Sequence, residues 1–118
     1  ILTELEVVIK ARMRSLVEKL GGDIRESGVF RQKGIDNVQK YVGLQWADFM
    51  KLYSQELGPV IARYAELERW CTPEDAFTLR LLTEHEVVTK AFCDLELEGR
   101  PDISINPTLE LLATARGA

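Results

Sequence analysis

The stretch from Thr72 to Gly99 constrains the fold most, because it carries the start signal, the stop signal and the buried stripe of one long helix. Thr72 can cap the first turn, with Pro73 at the first helical position and Asp75 completing a capping box. Gly99 can adopt the left-handed conformation after the last turn, and Pro101 cannot continue a helix. Four apolar residues and the only histidine of the chain recur between these signals at spacings of four and three, which predicts one buried face: Leu81, His85, Val88, Phe92 and Leu95.

The first segment, from Ile1 to Leu20, shows the same periodicity and predicts an amphipathic helix. Its apolar stripe consists of Leu2, Leu5, Ile9, Met13, Leu16 and Leu20. Gly21 and Gly22 supply two flexible positions that end it. Because the pattern is already running at Ile1, which is not a methionine, we expect that upstream sequence is missing.

A second long helix is predicted from Asp36 or Asn37, either of which can cap it, to Cys71. Its stripe consists of Val42, Trp46, Phe49, Tyr53, Leu57, Val60 or Ile61, Tyr64, Leu67 and Cys71. The apolar register runs straight across Gly58-Pro59, which favours one kinked helix over two separate helices. Trp46 belongs to this stripe and is expected in the core. Trp70 lies off it, so we expect it to pack on the start of the third helix or to contribute to an interface.

The segments between these helices carry weaker signals. Asp23 to Asp36 has several glycines and scattered apolar residues, which indicates a loop, either a crossover between helices or a segment that a partner orders. Near the C-terminus, Asn106-Pro107 predicts the start of a short last helix.

These patterns predict an all-α fold, since the period-two alternation of strands is absent. We expect a single helical-bundle domain over residues 1–118, with three long antiparallel helices and a short C-terminal helix. Such a bundle is incomplete and leaves an apolar face. Upstream residues or a second copy of the chain would cover it, and a two-fold homodimer is the commonest closed arrangement.

Charge and cysteine content limit the partners. The net charge is −4 and the pI is about 5.1, so no basic field attracts nucleic acid or a membrane surface. No apolar run approaches the length of a membrane span. Two cysteines, Cys71 and Cys93, are too few for a disulfide framework, which favours a reducing, cytoplasmic compartment with both thiols as small core residues.

Few polar groups lie on the predicted buried stripes, and His85 is the first of them. An adjacent stripe brings Glu86 to its margin. The expected neighbours on the preceding helix are Tyr53, Tyr64 and Glu56. A buried neutral imidazole needs one donor and one acceptor satisfied, which a phenol or a carboxylate supplies. The five residues therefore form either a satisfied core cluster or the lining of a small-molecule pocket.

A resemblance to a known family runs from the second helix into the third and covers about a quarter of the chain. The residues that carry it are Tyr64 to Leu67, Thr72-Pro73-Glu74-Asp75, Leu82, Glu84, His85 and Glu86. This run is similar to the helix-turn-helix of ferritin-like proteins, the rubrerythrin group especially. The resemblance implies a helical bundle that binds two metal ions through a glutamate on one helix and a Glu-x-x-His pair on the next.

The metal ligands of that family are not matched in this chain. The third residues after Glu84 and Glu86 are a valine and a threonine, so neither glutamate has its histidine. One histidine cannot build a symmetric di-iron centre within one copy, and we predict no metal and no cofactor there. A site shared between two copies would combine His85 with Glu86 or Glu56.

Three functional hypotheses follow. The first is a self-associating helical domain that acts as an interaction or small-ligand-binding module. The second is a ferritin-like oxidoreductase with a degenerate or intersubunit metal site. The third is a metal-free enzyme that uses His85 as general base. The chain has no phosphate-binding loop, no Ser-His-Asp order and no Cys-x-x-Cys motif, which favours the first without deciding whether the protein is an enzyme.

Overall fold

The computed structural model describes residues 2–22 and 28–117, and every regular element in that part of the chain is a helix. The five helices are α1 (Leu2–Lys19), α2 (Gly28–Gln39), α3 (Trp46–Arg69), α4 (Ala76–Leu97) and α5 (Asn106–Gly117). The described residues form no strand, which confirms the all-α fold class. None of these helices is long and apolar enough to cross a lipid bilayer.

Helix α4 is the centre of the packing, because it packs against α1, α3 and α5. Helices α1 and α5 also pack on each other. The main hydrophobic core lies where these three helices meet and consists of Leu5, Ile9, Leu81, Val88, Leu111, Leu112 and Ala115. Helix α3 covers another face of α4 and buries Met50 and Leu57. Helix α2 packs against no other described helix.

The predicted end of α4 is confirmed, and its predicted start is wrong. Gly99 has a φ of 73°, the left-handed conformation expected after the last turn. The helix begins at Ala76, four residues beyond the predicted Thr72 cap. Asp75 precedes it without a side-chain capping bond, because its carboxylate instead binds the Thr72 hydroxyl at 3.1 Å and Lys19 Nζ at 2.9 Å.

The predicted boundaries of the second long helix are also wrong. The segment splits into α2 and α3 around a turn in which Gly43 has a φ of 82°, a conformation that ends helical hydrogen bonding. Residues 28–36, predicted as loop, belong to α2, and residues 23–27 of the predicted loop lie outside the described residues. The prediction that one helix runs across Pro59 is confirmed by α3.

Several residues assigned to buried stripes are exposed. Trp46 is 57% exposed and Val42 is 67% exposed, so the prediction that both belong to the core is wrong. Leu20 and Leu67 are exposed as well. Trp70, which was predicted to lie off the stripe, is 79% exposed. Periodicity identified these positions as apolar, but no other helix in residues 2–22 and 28–117 covers them fully. Of the two thiols, Cys93 is buried as predicted and Cys71 is only partly covered.

Leu5 provides a test of the α1–α4–α5 core, since it is fully buried there. We expect Leu5→Ala to lower the free energy of unfolding by about 2–5 kcal/mol, because the cavity left behind adds to the lost hydrophobic transfer. The control Val7→Ala, at a side chain that is 63% exposed, should change it by less than about 0.5 kcal/mol. Urea unfolding measures both, and equal effects would contradict this core.

Candidate functional site

Helices α1 and α3 both pack on α4 and not on each other, and two cavities lie along α4 between them; we call this space the groove. One end of the groove is a cavity of about 390 Å³, lined mainly by apolar side chains: Met13, Leu16, Val17, Leu20, Leu67, Trp70, Cys71, Thr72, Asp75, Leu79 and Leu82. The other end is a cavity of about 270 Å³, lined by Leu2, Glu6, Trp46, Phe49, Met50, Tyr53, Thr89, Phe92 and Cys93. The groove is therefore apolar at both ends.

His85 and Glu86 lie on α4 between the two ends of the groove. His85 Nδ1 is 3.1 Å from Glu86 Oε1, and its Nε2 is 3.8 Å from Glu6 Oε1 on α1. An ionised carboxylate only accepts hydrogen bonds, so Nδ1 carries the proton that it donates to Glu86. In the tautomer that donates from Nδ1, the lone pair is on Nε2, the nitrogen on the side of Glu6. The His85 side chain is 13% exposed, as its place on the predicted buried face requires.

A third cavity, of about 410 Å³, lies beside α3 where the last turn of α2 and the following turn approach it. Its lining consists of Asn37, Val38, Tyr41, Phe49, Tyr53, Glu56, Leu57, Val60 and Glu86. Tyr53 also borders the smaller end of the groove. We call this space the tyrosine cavity. It brings together three of the predicted site residues, Tyr53, Glu56 and Glu86, and His85 joins them through its bond to Glu86.

The fifth predicted site residue, Tyr64, does not line the tyrosine cavity. It lies on α3 beyond Val60, the last residue of that helix that borders the cavity. The stripe of α3 predicted in sequence thus extends past the site, and only its middle part contributes.

The carboxylate of Glu56 is held by two donors. Lys40 Nζ is 2.8 Å from Glu56 Oε1, and the Tyr41 hydroxyl donates to Glu56 Oε2. These hydrogen bonds hold the pKa of Glu56 below its ordinary value of 4.5. Burial, with the charges of Glu86 and Glu6 adding to it, raises the pKa of Tyr53 to about 12. Near neutral pH the carboxylate is ionised and the phenol keeps its proton.

Sequence reasoning missed Lys40 and Tyr41. The Tyr41 ring centroid lies 4.9 Å from that of Phe49 and 5.9 Å from that of Tyr53, so it belongs to the wall of the tyrosine cavity. The expected continuous helix placed these two residues on its first turns, away from the site. The signal that could have found them is Gly43, whose left-handed conformation returns the chain towards α3.

A polar contact between α3 and α4 was also missed. The Ser54 hydroxyl donates to Asp94 Oδ1 at 2.5 Å, and Lys90 Nζ donates to Asp94 Oδ2 at 2.8 Å. Burial alone would raise the pKa of Asp94, but the bonds from Lys90 and Ser54 outweigh it and lower that pKa. Elsewhere between α3 and α4, the Thr83 hydroxyl donates to Glu68 Oε2 at 2.7 Å. These bonds fix how α3 lies on α4 and so position the tyrosine cavity.

Within residues 2–22 and 28–117, no three His, Cys, Asp or Glu side chains are grouped so that they could hold a metal ion. No protein-family model, no curated protein and no solved structure matches the chain significantly. The resemblance to ferritin-like proteins therefore stays a prediction.

The Glu56 bonds generate a pH-dependent prediction. A carboxyl with a lowered native pKa contributes stability above its unfolded pKa, and that contribution is lost as the pH falls through the native pKa. We expect Glu56→Gln to lower the free energy of unfolding by up to about 1 kcal/mol near pH 7, and the deficit to shrink as the pH falls below 4.5 through the lowered native pKa. Urea unfolding at a series of pH values measures it, with the exposed Glu18→Gln as control. A deficit that persists in acid would contradict the assignment.

Proposed function

We propose that this protein is a self-associating helical module in which two copies pair as a two-fold homodimer. The observation that carries the proposal is the groove between α1 and α3, where Leu20, Leu67 and Trp70 line one cavity and stay exposed. In a soluble helical bundle, a groove of this kind is the place of a further helix. A second copy that lays its α1 there completes the bundle and removes this apolar surface from water.

Charges on α1 support a second copy as the occupant. Glu6 borders the groove, and Lys10 and Arg14 lie further along the same side of the helix, around a shallow cavity with Met13 and Val17. Glu6 and Arg14 are about 12 Å apart along the helix axis. When two α1 helices pair antiparallel across a two-fold axis, Glu6 of each copy faces the basic residues of the other. The surface is thus self-complementary, as an isologous interface requires.

The oligomeric state tests the apolar part of this proposal. We expect the protein to be dimeric at micromolar concentration and Leu67→Lys to make it monomeric, because a charge placed in the groove would be buried without a partner. The control Val42→Lys alters a valine that is 67% exposed and lies outside the groove, and this variant should remain dimeric. Light scattering after size exclusion measures both. A monomeric wild-type protein at that concentration would rule out the homodimer.

A charge exchange tests the orientation of the two copies. Glu6→Arg and Arg14→Glu should each weaken the dimer, because each puts like charges opposite one another. The double variant restores opposite charges in both symmetric contacts and should recover much of the lost affinity. Sedimentation equilibrium gives the dissociation constants, and a double variant that is weaker than both singles would contradict antiparallel α1 pairing.

The His85–Glu86 pair favours a second candidate function, metal-free general-base chemistry in the groove. Glu86 orients the imidazole through Nδ1, which leaves Nε2, 3.8 Å from Glu6 Oε1, as the nitrogen that would accept a proton from a substrate. Hydrolysis of p-nitrophenyl acetate supplies a simple probe. His85→Gln should slow it about 100-fold or more while the free energy of unfolding changes by less than about 1 kcal/mol. Unchanged hydrolysis with a marked loss of stability would make His85 a core group.

A further inference from the structure

The tyrosine cavity combines aromatic rings, carboxylates and apolar side chains around about 410 Å³ of open space. We infer that this cavity binds a small organic cation, an ammonium group attached to an aryl or alkyl body. This site is separate from the apolar end of the groove around Leu67, so it goes beyond self-association. Three features of the cavity carry the inference: an ammonium already held at its rim, an excess of negative charge, and an apolar interior.

Lys40 shows how the cavity holds an ammonium. Its Nζ is 2.8 Å from Glu56 Oε1 and 5.2 Å from the centroid of the Tyr41 ring. Both distances are those of a favourable contact, an ion pair with the carboxylate and a cation–π contact with the ring. Lys40 is joined to this rim by a flexible side chain that is 38% exposed, so an incoming cation competes with it for the same two groups.

The charge balance of the cavity favours a further cation. The carboxylates of Glu56 and Glu86 both line it, and Lys40 offsets one of them. The ionic partner of Glu86 within the described residues is His85, which is charged only when protonated. The Glu86 side chain is 15% exposed, and a charge that is mostly removed from water interacts more strongly with a ligand than a surface charge does. Anions are repelled by the same two carboxylates.

The size and the walls of the cavity define the rest of the ligand. Its volume lies within the range of about 300–1,000 Å³ that is typical of small-molecule sites. The apolar part of the lining consists of Phe49, Leu57 and Val60, together with the Tyr53 ring. A compact hydrophobic body fits these walls while its ammonium lies near Tyr41 and the carboxylates of Glu56 and Glu86. A small hydrated metal cation would leave this apolar surface uncovered.

Calorimetry with benzyltrimethylammonium chloride tests the inference, with benzyl alcohol as the neutral comparator. We expect saturable binding of the ammonium to the wild-type protein and no saturation by the alcohol over the same concentrations. Glu86→Gln keeps the shape of the side chain and should weaken binding roughly tenfold, because it removes the charge that Lys40 does not offset. No saturable heat with the folded wild-type protein, or equal binding of the alcohol, would overturn the inference.

Lys40→Met provides the sharper measurement, because it changes an exposed side chain and leaves the cavity lining in place. Removing the competing ammonium should strengthen binding of benzyltrimethylammonium several-fold. The matched control Lys51→Met, at an exposed lysine of α3 outside the lining, should leave the affinity unchanged. Unchanged or weaker binding in Lys40→Met would show that the Glu56 and Tyr41 groups do not hold the ligand.

The same titration in Leu67→Lys separates this inference from the homodimer. The tyrosine cavity is formed within one copy, so the affinity for benzyltrimethylammonium should be the same in the dimer-deficient variant. Circular dichroism confirms that each variant is folded before titration. Binding that is lost in a folded Leu67→Lys protein would overturn a site within one copy, whatever the oligomeric state of the wild type.

Discussion

The structure depends on α4, which packs against three other helices at once. Burial of apolar area is the dominant favourable term in folding. On one side of α4, Leu81 and Val88 are buried against α1 and α5. On another side α3 covers it. The face of α4 between the side that packs on α1 and the side that packs on α3 carries Leu82, Thr89 and Cys93 and forms the floor of the groove. The groove thus exists because α1 and α3 pack on different sides of α4 and leave the face between them uncovered.

Polar bonds between α3 and α4 determine the geometry of the site. Ser54 with Asp94 and Thr83 with Glu68 fix the position of one helix on the other. Their loss would leave partly buried polar groups without partners, which costs more than the bonds themselves contribute. This positioning places the carboxylates in the middle of the groove and in the tyrosine cavity, with apolar surface on either side. Both the proposed pairing of two copies and the inferred cation site use this arrangement of acidic and apolar surface.

Local signals predicted much of the fold. The stripe of α1, the stop of α4 at Gly99 and the start of α5 at Asn106 each depend on residues close together in sequence, so they could be found without the structure. The break between α2 and α3 could not be found from the sequence alone. A glycine such as Gly43 permits a left-handed conformation but does not require it, and an apolar register that continues across it also fits one long helix.

The candidate site, like the fold, could be predicted from the sequence only in part. Helical periodicity is a local property, so it predicted that His85 lies on a buried face of α4 with Glu86 beside it. The packing of the helices places Tyr53 and Glu56 in one cavity with Glu86, while Tyr64, on the same predicted stripe, lies outside it. It also decided that Trp46 and Leu67 stay exposed. The physical reason is that periodicity tells which side of a helix is apolar, whereas burial depends on which other helix packs there.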